Sequence, residues 1–235
     1  QVRAGVYLIS ADTKYTSPGG VEAHTDTGFQ AVPQLYYTHG FQDVPLAVGL
    51  GVYAPYGLGL DWGDNPPFGL IAQQGKLLYL SVNPVIAWRL HDTLSLAIGP
   101  TINYSEADLE NLSFNFKGDD FGYGFNAGLL WKPHEKWSIG LNYRSATDMN
   151  YEGNSDFPAV PGSSAPTQAE AHFPCFAVAG ISFRPTTNWN FEVNVDWTDW
   201  NSLDEIVFQR ADTISVPLAF NYQSSWMYEF GVTRQ

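Results

Sequence analysis

The sequence predicts an all-β chain: an antiparallel up-and-down transmembrane β-barrel, with about ten strands present of a larger barrel. Three observations predict it. Apolar and polar residues alternate over segments of about ten residues. Large aromatics gather at the ends of those segments. The connections between them alternate short and long.

Composition narrows the field first. The chain has 235 residues, enough for one large β domain, and carries 15 Phe, 13 Tyr and 8 Trp, so that aromatics make up 15% of it and equal the whole charged fraction. A soluble domain carries about 25% charged residues. With 22 Gly and 15 Pro, long helices are disfavoured, since both residues are poor in helix interiors. A mean hydropathy of -0.18 and frequent polar interruptions exclude a helical membrane protein, which needs runs of about 20 apolar residues. The single Cys175 excludes a disulfide scaffold and a cysteine zinc site. The 11 basic residues against 24 acidic ones, net -13, exclude nucleic acid as a partner.

The strands are read, in chain order, at 2–10, 29–39, 45–56, 76–90, 93–105, 119–131, 137–149, 171–184, 188–209 and 224–233. Four carry the pattern most cleanly. Leu94, Leu96, Ile98, Pro100, Ile102 and Tyr104 alternate with Ser95, Ala97, Gly99, Thr101 and Asn103. Phe121, Tyr123, Phe125, Ala127, Leu129 and Trp131 alternate with Gly122, Gly124, Asn126 and Gly128. Trp137, Ile139, Leu141 and Tyr143 alternate with Ser138, Gly140, Asn142 and Arg144. Trp189, Phe191, Val193, Val195 and Trp197 alternate with Asn190, Glu192, Asn194 and Asp196. Successive strand side chains point to opposite faces, so each segment has one apolar and one polar face. The polar face is small and polar rather than a solvated face of Lys and Glu, which suits a lumen. Trp88, Trp131, Trp137, Trp189, Trp197 and Tyr104 sit near strand ends, as in the aromatic girdles of barrels.

Short links follow His39–Val44, Leu90–Asp92, Lys132–Lys136 and Arg184–Thr187; long ones cover 11–28, 57–75, 106–118, 150–170 and roughly 210–223. Short periplasmic turns and longer outer loops give this alternation. Loop formers fill the long links, as in Asp61–Pro67 and Pro158–Ser164. No domain linker interrupts 1–235, which reads as a single barrel domain.

Several segments resemble one family. Gly49-Leu50-Gly51-Val52-Tyr53-Ala54-Pro55-Tyr56-Gly57-Leu58 is similar to the third-strand motif of the FadL/toluene-transporter family of outer-membrane proteins. Val82–Trp88 followed by Leu94–Gly99 resembles its next hairpin. Gly118–Leu129 resembles its glycine-rich run, Tyr143-Arg144-Ser145 its "YRS", and Asp196–Trp200 its "Y/W-T-x-W". The resemblance implies a barrel of about fourteen strands in the outer membrane of a Gram-negative bacterium. It would pass hydrophobic molecules such as long-chain fatty acids or aromatic hydrocarbons. It also implies an N-terminal hatch and a third-strand kink that opens the wall into the bilayer. This sequence begins in a strand, without the hatch, and ends at Thr233-Arg234-Gln235 without a terminal aromatic, so it is expected to be incomplete at both ends.

Candidate residues follow from the alternation. Arg144, the cation of its strand, is expected in the lumen, meeting a carboxylate ligand or an acidic side chain across the barrel. Asn83, Asn103 and Asn126 are expected to line the passage or to satisfy neighbours inside it. The fatty-acid carriers place a basic residue near the top of the fifth strand, where this chain has Glu106, which would repel a carboxylate ligand and favour a neutral hydrocarbon. Gly49 and Gly51 are candidates for the lateral gate, or leave a gap for a hatch, since glycine in a strand often marks a bend. Pro33, Pro84, Pro100 and Pro174 each remove a ladder hydrogen bond. Acidic pairs (Asp61 with Asp64, Asp119 with Asp120, Asp196 with Asp199) are not set in an evident cleft, and none of the five His has metal-ligand spacing. Neither enzymatic activity, nor a cofactor, nor a metal is expected. The partners expected are a hydrophobic small molecule, outer-membrane lipid and lipopolysaccharide, with the barrel a monomer. Two alternatives stand beside uptake: a structural or adhesive barrel, and a soluble carbohydrate-binding sandwich.

Overall fold

The computed structural model describes residues 1–26, 28–63 and 66–234. Asp64 and Asn65 of the second long link, and Gln235, lie outside the described residues. The strands are β1 (Val2–Ile9), β2 (Lys14–Thr16), β3 (Glu22–His24), β4 (Gln30–Gly40), β5 (Leu46–Tyr53), β6 (Gly57–Asp61), β7 (Gln74–His91), β8 (Leu94–Glu110) and β9 (Asn115–His134). They continue as β10 (Trp137–Arg144), β11 (Thr147–Asp156), β12 (Ala165–Phe173), β13 (Phe176–Thr186), β14 (Trp189–Thr198), β15 (Glu205–Arg210), β16 (Ser215–Ala219) and β17 (Ser225–Arg234). One 3-10 turn, Trp200–Ser202, is the only helical element among the described residues.

Ten strands follow one another in a single antiparallel path, β1-β4-β5-β7-β8-β9-β10-β13-β14-β17, and these are the ten that alternation marks. Among the described residues β1 and β17 end the path and are not paired to each other, so the sheet is not closed. The apolar face turns outward all along it. Ile98, Ile102, Phe121, Tyr123, Phe125, Leu141, Val193 and Phe230 are exposed there, a surface that water would not tolerate and lipid does.

Aromatic belts bound this surface. Trp88, Trp131, Trp137 and Trp189 mark one rim, with Trp137 stacked on Phe183 at 4.4 Å. Tyr104 with Phe121, and Trp197 with Trp226, mark the other. Leu94 lies opposite Trp131 and Tyr104 opposite Phe121. At about 3.3 Å per residue and a tilt of about 40°, that stretch of β8 crosses about 25 Å, the height of a barrel's lipid band.

Beyond the outer belt the wall continues as strands where long loops are expected. β8 runs to Glu110 and β9 starts at Asn115, so 106–118 is a hairpin whose turn is held by Asn111, its Oδ1 accepting from the N–H of Ser113 and of Phe114 at 2.8 Å each. The expected loops at 150–170 and 210–223 hold β11, β12 and β16, joined through β9-β11-β12-β15-β16. The β2–β3 hairpin occupies part of 11–28. The same alternation that builds the lower wall persists here: Ala165, Thr167, Ala169, Ala171 and Phe173 are buried, with exposed neighbours between them. Inside this outer part lies the apolar core of Tyr79, Phe114, Phe116, Met149, Tyr151, Phe173 and Phe208.

Candidate lateral opening and lumen

The wall is interrupted where β5 gives way to β6. β5 pairs with β7 up to Tyr53 opposite Ser81, and pairing resumes with Gly57 opposite Leu78. Ala54, Pro55 and Tyr56 therefore face only Tyr79 and Leu80, which makes a bulge. Pro55 favours it because its nitrogen carries no hydrogen for the ladder. On the other side, β4 pairs with β5 only through Leu35–Gly40. Its Gln30–Gln34 half pairs with β1 and has no ladder partner toward β6 among the described residues. Pro33 in that half also lacks an N–H.

A cavity of about 550 Å³ fills the gap, bordered by Gln30, Val32 and Pro33 on β4, by Tyr56 and Gly57 at the break, and by Leu77–Leu80 on β7. Tyr79 is turned inward and buried, whereas Leu78 is turned outward and exposed. Residues of both faces of β7 border this space, which lies in the gap of the wall. Its outer rim is bridged twice: the Gln30 side-chain amide donates to the Gly59 carbonyl at 3.2 Å, and the Asp26 N–H donates to the Asp61 carbonyl at 2.8 Å. The Gln30 bridge depends on Gly59, for a β-carbon there would occupy the place of Gln30 Nε2.

The gate candidates Gly49 and Gly51 sit near this opening but do not form it. Both stay in unbroken pairing with β4 and with β7, because their own N–H groups remain available; the break comes after them, at Pro55. Gly51 has a different use. A β-carbon there would meet the Tyr53 ring at 3.0 Å and the Tyr36 ring at 3.4 Å, so its absence lets the two rings stack at 5.9 Å.

Asn83, Asn103 and Asn126 all face inward, and their amides are engaged by neighbours. Asn83 donates to the Pro100 carbonyl at 2.7 Å and to Asn126 at 3.2 Å, and Asn126 donates back at 2.9 Å. Asn103 accepts from Ser81 Oγ at 2.6 Å and donates to Thr147 at 3.2 Å. This polar layer repairs an interruption in the β7–β8 ladder, whose register skips from Val82–Ile102 to Ile86–Ile98. Pro84 and Pro100 lie in that gap, and Gly99 leaves room for the Pro84 carbonyl, with which a β-carbon would collide.

Glu106 does not belong to the lumen. On β8 the buried positions are Thr101, Asn103, Ser105 and Ala107, and period two puts Glu106 on the opposite, outer face. There Lys117 lies 3.3 Å from Glu106 and 3.2 Å from Asp108. These carboxylates, Asp108 first, hold the Lys117 ammonium above its ordinary pKa. The expected repulsion of a lumenal carboxylate by Glu106 is thereby removed. Further out, Arg210 is buried with its guanidinium on Asp212, on the Ser155 carbonyl at 2.9 Å and on the Ser163 carbonyl at 2.6 Å. Its hydrogen bonds hold the exposed Asp212 carboxyl below its ordinary pKa.

Arg144 faces inward at 8% exposure. Its guanidinium lies over the ring of Tyr53 at 4.7 Å and over that of Phe176 at 5.2 Å. It makes no ion pair among the described residues, and its Nε is buried without a hydrogen-bond partner. The acidic partner expected across the barrel is thus absent from the described residues, and aromatic faces take its place. Tyr53 and Tyr56, which flank the break, carry no sequence signal of their own; only Pro55 inside an otherwise strand-like run points to it.

Comparison with known proteins fixes the family. The description "Outer membrane protein transport protein (OMPP1/FadL/TodX)" matches residues 1–115 and 111–235. This chain belongs to that family. Family membership places it in the outer membrane of a Gram-negative bacterium. The FadL-family chain is 20% identical over 264 residues to the long-chain fatty acid transport protein of Escherichia coli O6:H1, with 86% of this chain and 59% of the relative covered. It is 22% identical over 251 residues to a 47 kDa outer membrane protein of Pasteurella multocida, covering 90% and 58%. It therefore spans less than two thirds of these relatives. A Pseudomonas aeruginosa FadL homologue superposes with a TM-score of 0.82 at 17% identity, over 98% of this chain and 66% of that one. The P. putida toluene transporter TodX gives 0.77 at 15%, over 98% and 70%. Both share the barrel fold.

Proposed function

We propose that this chain builds the wall of an outer-membrane channel for passive uptake of hydrophobic compounds, long-chain fatty acids or aromatic hydrocarbons, with lateral release into the bilayer. The observation that carries the reading is the cavity in the gap of the wall at the β5–β6 break. An apolar solute inside the outer core gains by moving from there into hydrocarbon without crossing water. No energy source is needed, because the solute runs down its own gradient. With Glu106 on the outer face, acids and neutral hydrocarbons both fit the reading. The fatty-acid and toluene transporters named above support the solute classes. A monomer suffices, with lipid around its apolar band and lipopolysaccharide around its outer strands.

The test closes the opening. Cysteines at Val32 and Gly57, in a Cys175→Ser background, are bridged by a bifunctional thiol reagent in the outer membrane of cells expressing the full gene. Uptake of labelled oleate and toluene should fall on bridging and recover on cleavage of the linker. Uptake that is indifferent to the bridge would remove the lateral route.

A further inference from the structure

The opening poses a physical question. The Gln30–Gln34 edge of β4 faces the edge at Ala54–Asp61 at and just beyond the outer aromatic belt. There β7 residues Gln74–Leu78 pair with Gly57–Asp61 on one side and Glu106–Glu110 on the other. Backbone groups left unpaired beside an apolar cavity are costly. Two such edges side by side should zip together. The side-chain bridge from Gln30 to Gly59 satisfies one carbonyl only. Something must keep the broken strand away from β4.

Two contacts from the far wall act on the break, one on each side of Ala54–Pro55. Tyr53, the last residue of β5, lies under the Arg144 guanidinium at 4.7 Å. Arg144 is the last residue of β10, reached around the sheet only through β7, β8 and β9. Tyr56, just past the break, donates its hydroxyl to the Pro174 carbonyl at 2.8 Å. Pro174 joins β12 to β13 and is fully buried. The Tyr56 ring is also seated against Tyr79 at 5.1 Å and Phe173 at 5.2 Å. Pro174 has no side-chain amide or hydroxyl that could swing toward the hydroxyl, so this brace has a fixed anchor. Arg144 is held between Tyr53 and Phe176 and makes no ion pair among the described residues. Both braces pull the break inward, away from β4.

We infer that Arg144 and Tyr56 are positioning residues that hold the wall open from across the lumen, and that without them β5 and β6 relax outward and zip onto β4. The inference rests on the opening being the exit route. It makes the width of the exit a property of β10 and the β12–β13 junction, which do not border it.

Two substitutions remove the braces with little change of shape. Tyr56→Phe deletes only the hydroxyl and keeps the ring packing; Arg144→Lys keeps the charge and loses the planar stacking face. Spin labels on cysteines at Ala31 and Leu60, in the Cys175→Ser background, report the β4–β6 separation. Uptake of labelled toluene by the same cells reports passage. In each variant the separation should shorten toward the spacing of a paired ladder, and uptake should fall by about fivefold, the effect of losing one net hydrogen bond in Tyr56→Phe and one cation–π contact in Arg144→Lys. Tyr228→Phe, on the lipid face, is the control and leaves both readings unchanged. Heat-modifiable gel migration establishes that each barrel is folded. Folded Tyr56→Phe and Arg144→Lys barrels with wild-type separation and uptake would overturn the inference. If the Val32–Gly57 bridge blocks uptake while the brace variants behave as wild type, only the braces fail. If the bridge itself leaves uptake unchanged, the exit reading fails instead.

Discussion

Replacing Asn83 by Leu tests the polar layer where it is most demanding. Asn83 is only 4% exposed, and its amide serves the Pro100 carbonyl and both ends of the Asn126 amide. Leucine branches at the same carbon and is the larger residue, so no water-sized space opens and the orphaned groups cannot be rescued. An unsatisfied buried polar group costs about 1–3 kcal/mol. The Pro100 carbonyl bears this in full and Asn126, which is half-buried, in part, for a total of about 2–4 kcal/mol. The Asn83→Leu/Asn126→Leu pair removes donor and acceptor together and should recover part of the loss. The assay is guanidinium unfolding of the detergent-solubilised barrel, read by heat-modifiable migration and tryptophan emission. A neutral single variant, or a double variant less stable than the single, would refute the assignment of these amides to each other.

Other outcomes follow from the same geometry. Gly59→Ala places a methyl where Gln30 Nε2 now lies; because the displaced atom ends a flexible side chain, the barrel should fold normally while the rim bridge is lost, and uptake of bulkier aromatic solutes should rise relative to toluene. Gly99→Ala instead meets the Pro84 backbone, which cannot swing aside, and should lower stability by about 1–3 kcal/mol in the same unfolding assay. Glu106→Gln, on the outer face, should leave the ratio of oleate to toluene uptake unaltered, whereas a lumenal glutamate would raise it. Asp212 has a folded pKa below its ordinary 3.8. Its contribution is complete above 3.8 and is lost as pH falls through the lower folded value. Protection of the β15–β16 hairpin from an acid-stable protease should accordingly weaken only in that range, and Asp212→Asn should abolish the dependence.

Much of the wall was legible because a barrel strand writes its two faces into the sequence with period two. The ten strands of the main path, the belts at Trp88, Trp131, Trp137 and Trp189, and the inward asparagines all follow from that period. Glu106 was misplaced because family correspondence was followed over the alternation of its own strand, in which Asn103 and Ser105 already fix the inward parity. Of the outer strands, β15 lies almost wholly inside the run read as one strand at 188–209, whereas β11, β12 and β16 fall mostly in segments read as loops. β11 is rich in Asn, Asp, Ser and Gly and reads as loop, yet long-range pairing with β9 overrides local preference. The break after β5 is missed by the reading of 45–56 as one strand, which passes over Pro55 and its missing ladder N–H. That β4 fails to pair with β5 beyond Leu35, and that Tyr56 reaches Pro174, are tertiary facts with a sequence separation no local pattern contains.

The asparagine layer also sorts routes by polarity. Above it lie Tyr79, Tyr151, Met149 and Phe173; below it the inner face carries Asn142, Ser182, Glu192 and Asn194. A solute that sinks past the layer exchanges hydrocarbon-like surroundings for amides, carboxylates and water. Each methylene that does so gives up about 0.8 kcal/mol, so a ten-carbon tail faces about 8 kcal/mol, or five to six powers of ten in occupancy. If the proposed uptake holds, the layer would act as a floor for apolar solutes: long chains would be turned aside in proportion to their length, without any residue having to recognise them.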